Sequence, residues 1–114
     1  MYFRCALTLI IVALSANSAN GQADVWSANN VMMGCRTEAS LDPALSLLQG
    51  VCLGAVGALA ALPNHTIGYC VPKEVKVDEA LRVAMAYIDR IPSRTKEPFN
   101  SLVAEAFKAN WPCQ

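Results

Sequence analysis

The sequence lacks most of what enzymes and nucleic-acid-binding proteins need. It has a single histidine, His65, and its nine lysine and arginine residues are balanced by nine aspartate and glutamate residues. Without a basic surplus to neutralise phosphates, a general role in binding nucleic acid is disfavoured. Asp78 and Glu79 are adjacent, so on a helix their carboxylates diverge and form no catalytic pair. The sequence therefore predicts no catalytic residue and no cofactor.

Residues 1–23 have the pattern of a cleaved signal peptide. Arg4 precedes an almost wholly apolar stretch of about a dozen residues, and the small residues Gly21 and Ala23 suit a cleavage after Ala23. The alternative is an N-terminal membrane anchor, which needs an apolar stretch of about 20 residues. We therefore predict a signal peptide over residues 1–23 and a mature, exported domain over residues 24–114.

Removal of the signal peptide leaves an even number of cysteines, namely Cys35, Cys52, Cys70 and Cys113. In a small exported domain, such a set is typical of two disulfides. The alternative is a metal site, but zinc ligands usually occur in close pairs such as C-x-x-C, and no such pair is present. The same absence disfavours redox catalysis. The sequence thus predicts two structural disulfides and no metal.

The periodicity of apolar residues predicts four helices and no strand, with the helices at residues 28–34, 43–62, 77–90 and from Pro98 onward. Ser27 is the expected N-cap of the first helix, and Gly34 is expected to end it in the left-handed conformation. Trp26 is expected to be buried beside this helix. The predicted fold class is therefore all-α, a small four-helix domain stapled by two disulfides.

The second helix contains no charged residue between Pro43 and Leu62. A helix that is apolar on all sides lies either at the centre of a bundle or in a membrane. Its glycines and small polar residues dilute the apolar character, so we expect a buried central helix and no stable membrane span in the mature protein.

The helix order favours one disulfide pairing among the three that are possible. The third and fourth helices, joined by a short turn, should be antiparallel. That arrangement brings Cys70, before the third helix, close to Cys113, after the fourth. Cys35 is then left to pair with Cys52.

The turn between the third and fourth helices is the candidate binding surface. It is bounded by Pro92 and Pro98 and carries a cluster of charged residues, Arg90, Arg94, Lys96 and Glu97. A charged loop fixed by prolines can enter a partner's cleft with little loss of conformational entropy. The alternative is an ordinary solvated turn between helices.

Several short motifs occur in order along the chain: Cys52-Leu53-Gly54, Cys70-Val71-Pro72, Tyr87-Ile88 followed by Pro92, and Trp111-Pro112-Cys113. Upstream of them lie Asn30-Val31 and Cys35. In this order, the chain resembles the Rap/Tai family of immunity proteins associated with type VI secretion.

The resemblance implies a helical, often dimeric protein of the periplasm, which binds and blocks a toxin such as a peptidoglycan amidase. The implied partner is thus a protein toxin or cell-wall hydrolase. A homodimer is also expected, formed through an apolar patch on the second or fourth helix, because the sequence has a surplus of apolar residues. The alternative function is that of a general periplasmic helical adaptor or stress protein without a toxin partner.

Overall fold

The computed structural model describes residues 25–37, 41–62 and 65–114. The predicted signal peptide therefore lies outside the described residues. Helices α1 (Ala28–Cys35), α2 (Pro43–Ala61), α3 (Val77–Asp89) and α4 (Phe99–Asn110) form the domain, with a short 3₁₀ turn at Pro92–Arg94. No strand occurs in the described parts of the chain, where pairing is limited to isolated bridges. The predicted all-α class with four helices is confirmed.

The ends of α2 and α3 follow from local chemistry. Asp42 is the N-cap of α2, and its carboxylate accepts a hydrogen bond from the backbone N–H of Ala44 at 2.9 Å. Pro43 occupies the first helical position, where its missing N–H costs nothing. In α3, Asp78 and Glu79 lie in the first turn, where their charge is favourable to the helix dipole.

Helix α4, rather than α2, lies at the centre of the domain. Six of its residues are buried, including the large side chains of Phe99, Leu102 and Phe107. In α2, by contrast, only Cys52 and Val56 are buried, and 11% of its apolar stretch is buried overall. The prediction of a buried central α2 is therefore wrong. The aromatic residues of α4 fill the core, while the small residues of α2 let that helix lie flat against one side.

Gly34 allows α1 and α2 to pack closely, and does not end α1 as predicted. Helix α1 continues through Cys35, and the positive φ among the described glycines belongs to Gly68, at 97°. A Cβ atom on Gly34 would lie 2.1 Å from the backbone carbonyl carbon of Leu48. Gly34 is therefore required because the backbone of α2 passes directly over it. Trp26 is 57% exposed, so its predicted burial is also wrong.

The two disulfides connect Cys35 with Cys52 and Cys70 with Cys113, as predicted. The first joins the end of α1 to the middle of α2. The second closes the chain after α4 onto the segment that precedes α3. There, Tyr69 packs edge-on against Phe107, with ring centroids 5.7 Å apart, and Phe107 in turn contacts Trp111 at 5.6 Å.

Candidate functional site

The charged turn, residues 90–98, is held against the start of α1 by its backbone. The N–H groups of Ala28 and Asn29 donate hydrogen bonds to the carbonyl oxygens of Glu97 and Thr95, at 2.9 and 2.8 Å. The first N–H groups of a helix have no acceptor within the helix, so these carbonyls satisfy them. This backbone cap replaces the predicted side-chain cap by Ser27, which forms no such bond. The charged turn consequently has a fixed backbone conformation.

Arg94 connects the charged turn to α4. Its guanidinium donates two hydrogen bonds to the carboxylate of Glu105, each at 2.8 Å, and its Nε donates to Glu97 at 2.5 Å. The hydroxyl of Tyr87 donates to the same Glu105 carboxylate at 2.9 Å. Two of the predicted partner-binding residues, Arg94 and Glu97, are therefore half-buried and engaged in ion pairs within the protein.

The ion pairs shift the protonation equilibria of this cluster. Hydrogen bonding from Arg94, reinforced by Tyr87, holds the pKa of Glu105 below its ordinary value of 4.5. The hydrogen bond to Glu105 raises the pKa of the Tyr87 hydroxyl, since that bond is lost when the phenol ionises. At neutral pH, the cluster is thus a fully ionised Arg94–Glu105 pair capped by a neutral Tyr87.

The substitution Glu105→Gln should lower the free energy of unfolding at pH 7 by about 0.5–1 kcal/mol. The effect is modest because 40% of the Glu105 side chain is exposed, so water screens the pair. The folded pKa of Glu105 is depressed, so its stabilisation is present at neutral pH and is lost as the pH falls below 4.5 through the folded pKa. Urea denaturation of both proteins at a series of pH values would measure the difference.

The matched control for this prediction is Glu74→Gln, which removes the same charge from an exposed turn. Its effect on stability should stay within about 0.5 kcal/mol across the pH range. A Glu105→Gln deficit that persists unchanged at pH 3 would contradict the role assigned to the Arg94–Glu105 pair.

Arg90 and Lys96 are the other two predicted partner-binding residues, and both are exposed. Within the described residues, neither forms an ion pair. Arg90 also lines a groove of about 330 Å³ between α3 and α4, whose walls include Arg82, Tyr87 and Ala106. The charged turn thus presents two exposed cations, of which Arg90 lies at the edge of this groove. Whether these residues bind a partner remains a prediction.

A second surface is formed by α2. The apolar surplus of this helix suggested a homodimer, but its exposure was not predicted. The exposed α2 face consists of Leu47, Gly50, Leu53, Gly54, Ala58 and Ala61. Leu47 is 68% exposed, and a Cβ atom on Gly50 or Gly54 would meet nothing within 4 Å. Beside it, a groove of about 350 Å³ extends to Pro98 and Phe99, at the end of the charged turn. The glycines and alanines of this face have too little side-chain volume to fill a core.

The length and apolar composition of α2 would also allow it to span a membrane. In the structure, however, the middle of α2 is fastened to α1 by the Cys35–Cys52 disulfide, and Cys52 and Val56 are fully buried in the core. A membrane-spanning α2 would have to withdraw both residues from that core. The absence of a stable span remains a prediction.

Comparison with known proteins relates this arrangement to a family. The family model of the Rap1a immunity proteins matches residues 27–113, which include all four helices and both disulfides. No curated protein and no solved structure gives a match. The match covers most of the chain and confirms the resemblance inferred from the ordered motifs. The chain belongs to the family of Rap1a immunity proteins.

Proposed function

We propose that this immunity protein is exported to the periplasm, where it binds and blocks a toxin delivered by type VI secretion, such as a peptidoglycan amidase. Family membership supports the immunity role. The observation that carries the binding mechanism is the fixed backbone of the charged turn, which presents Arg90 and Lys96 to solvent. The protein acts by occlusion and contributes no catalytic group.

The disulfides support export. Cys35–Cys52 and Cys70–Cys113 pair all the cysteines of residues 24–114. Such bonds persist outside the cytosol and are rare within it. A cleaved signal peptide over residues 1–23 would deliver the chain to the compartment in which both disulfides form.

The charged turn suits insertion into a cleft. Its carbonyls are bound to α1, Arg94 ties it to α4, and prolines flank it, so little conformational freedom is lost on binding. Arg90 and Lys96 form no ion pair within the described residues, so their side chains are available to contact an acidic surface of the toxin. In this proposal Arg94 and Glu97 shape the turn, and the exposed cations contact the toxin.

The double substitution Arg90→Glu/Lys96→Glu should weaken toxin binding by about 100-fold, because it replaces attraction by repulsion at the contact. Surface plasmon resonance with the immobilised toxin would measure the change. The matched control is Lys73→Glu/Lys76→Glu, which makes the same charge change at exposed residues before α3. Equal weakening by both variants would show that net charge, and not the charged turn, governs binding.

The same proposal includes a homodimer formed through the exposed α2 face. This face is apolar, carries no charge and has open space above Gly50 and Gly54, so two helices can approach closely. The substitution Leu47→Glu should convert the dimer to a monomer in sedimentation equilibrium while the helical content stays unchanged. Ala86→Glu, at an exposed residue of α3, is the matched control and should remain dimeric. A wild-type protein that sediments as a monomer would contradict the dimer.

Protection of a living cell tests the function and the compartment together. A peptidoglycan amidase toxin, sought among the products of the genes that neighbour this protein's own, would be directed to the periplasm of a host cell, together with either the full chain or a variant lacking residues 1–23. The full chain should preserve growth, and the leaderless variant should not, since it meets neither the toxin nor the oxidising compartment. Cell lysis despite abundant full-length protein would count against the proposal.

The exposed α2 face also favours a second candidate, a periplasmic adaptor or stress protein that holds unfolded clients. This function predicts suppression of the aggregation of unrelated unfolded proteins, with Leu47→Glu abolishing the effect. The immunity function predicts no such suppression.

A further inference from the structure

The Cys70–Cys113 disulfide has a histidine beside it. The Nδ1 and Nε2 atoms of His65 lie 3.7 and 3.9 Å from the Sγ of Cys70. One ligand atom from each of His65, Cys70 and Cys113 can be chosen so that all lie within 4.8 Å of one another. His65 is exposed and the two cysteines are half-buried, so solvent reaches this cluster.

The backbone holds the two cysteines side by side, independently of the bond between their sulfurs. The N–H of Cys70 donates to the carbonyl oxygen of Trp111 at 2.8 Å, and the N–H of Cys113 donates to that of Gly68 at 3.1 Å. These bonds flank an antiparallel bridge between Tyr69 and Pro112. Tyr69 is itself buried against α4, so neither this pairing nor its core contacts depend on the bond between the two sulfurs.

The distances suit a soft metal ion once the sulfurs are reduced. Zinc binds thiolate sulfur and imidazole nitrogen at lengths that place neighbouring tetrahedral ligands about 3.6–3.8 Å apart. The separation of His65 Nδ1 from Cys70 Sγ, 3.7 Å, already falls in this interval. Rotation of the two cysteine side chains would bring their sulfurs to the same spacing.

We propose that reduction of the Cys70–Cys113 disulfide creates a zinc-binding site formed by His65, Cys70 and Cys113, with the fourth coordination position open to water. A dithiol reductant supplies two electrons and two protons, the S–S bond is replaced by two thiols, and the reductant becomes a disulfide. Binding of Zn²⁺ then releases both thiol protons to solvent. The site is separate from the charged turn and goes beyond the immunity function.

The other disulfide offers no equivalent site. Cys52 is fully buried, and the only histidine of the chain, His65, lies beside Cys70. Thiolates at Cys35 and Cys52 would therefore lack a nitrogen ligand. The proposal thus predicts that zinc affinity depends on His65, which distinguishes this site from unspecific binding to exposed thiols.

The test uses protein purified from the periplasm, oxidised or reduced with a phosphine under argon, and titrated with Co²⁺ and then with Zn²⁺. The reduced protein should bind a single equivalent of Co²⁺ with a sulfur-to-cobalt charge-transfer band, which Zn²⁺ displaces, and the oxidised protein should show no band. The substitution His65→Gln should weaken zinc binding by at least about tenfold, as expected for loss of a ligand. Cys113→Ser should abolish the charge-transfer band of this site.

Circular dichroism of the reduced, metal-free protein completes the test. It should retain its helical content, because the proposal relies on the backbone to keep the thiols adjacent. Loss of helical content on reduction, unchanged zinc affinity in His65→Gln, or equal affinity in the oxidised protein would each overturn the proposal.

Discussion

Replacing both Cys70 and Cys113 by alanine is expected to lower the free energy of unfolding by about 4 kcal/mol. The disulfide closes a loop with a sequence separation of 43 residues, so its loss releases much conformational entropy in the unfolded chain. That loop contains α3, the charged turn and α4, which contributes Phe99, Leu102, Val103 and Phe107 to the core. Urea denaturation under oxidising conditions would measure the loss.

The shorter disulfide provides the comparison. Cys35 and Cys52 are separated by 17 residues, and the same entropy relation gives about 3 kcal/mol for their bond. A small domain has a total stability of only about 5–15 kcal/mol, so either loss should remove a large fraction of it while the folded state stays favoured. A change below about 1 kcal/mol for Cys70→Ala/Cys113→Ala would show that the bond does not restrain the unfolded chain.

The substitution Gly34→Ala should cost about 3 kcal/mol, an effect at the upper end for overpacking. The added Cβ would lie 2.1 Å from the carbonyl carbon of Leu48 and 2.4 Å from the backbone nitrogen of Gln49. Backbone atoms cannot rotate away, so α1 and α2 would have to separate. The Cys35–Cys52 disulfide, one residue further along, opposes that separation. Thermal and urea denaturation would both report the loss.

Gly50→Ala is the matched control for Gly34→Ala. Gly50 lies in α2, and a Cβ atom there would meet nothing within 4 Å. Alanine has a higher helix propensity than glycine, so this variant should be about 0.5–1 kcal/mol more stable as a monomer. If both substitutions changed the free energy of unfolding equally, the close approach of the α2 backbone would not be the reason for a glycine at position 34.

The positions of the helices could be predicted because their signals are local. At the predicted start of α2, Asp42 and Pro43 act through a hydrogen bond and a preset φ angle, both of which are local to the sequence. The disulfide pairing could also be predicted, because a short turn makes α3 and α4 antiparallel and so brings Cys70 to Cys113. In each case, the decisive interaction joins neighbours in sequence or follows from one short connection.

The burial of α2 could not be predicted, because apolar composition does not reveal which helix occupies the centre. The volume of Phe99 and Phe107 decides in favour of α4, and this is a property of the whole assembly. The role of Gly34 could not be predicted for a related reason. A glycine near a helix end suits both a left-handed cap and a close helix crossing, and only the position of Leu48 distinguishes the two.

The ion pair between Arg94 and Glu105 could not be predicted from the sequence either. Glu97 is close to Arg94 along the chain, but Glu105 lies on the next helix, and its approach depends on the packing of α4. The four charged residues predicted as a single binding cluster therefore divide into two pairs. Arg94 and Glu97 are engaged within the protein, while Arg90 and Lys96 face solvent.

Isothermal titration of the oxidised domain, residues 24–114, into a purified cell-wall hydrolase toxin, sought among the products of the neighbouring genes, tests the central claim most directly. We expect saturable binding with a dissociation constant below about 1 µM, accompanied by complete loss of the toxin's cell-wall hydrolysis at saturation. No heat of binding, together with undiminished hydrolysis in the presence of excess folded protein, would contradict the claim that this domain protects by occluding a toxin.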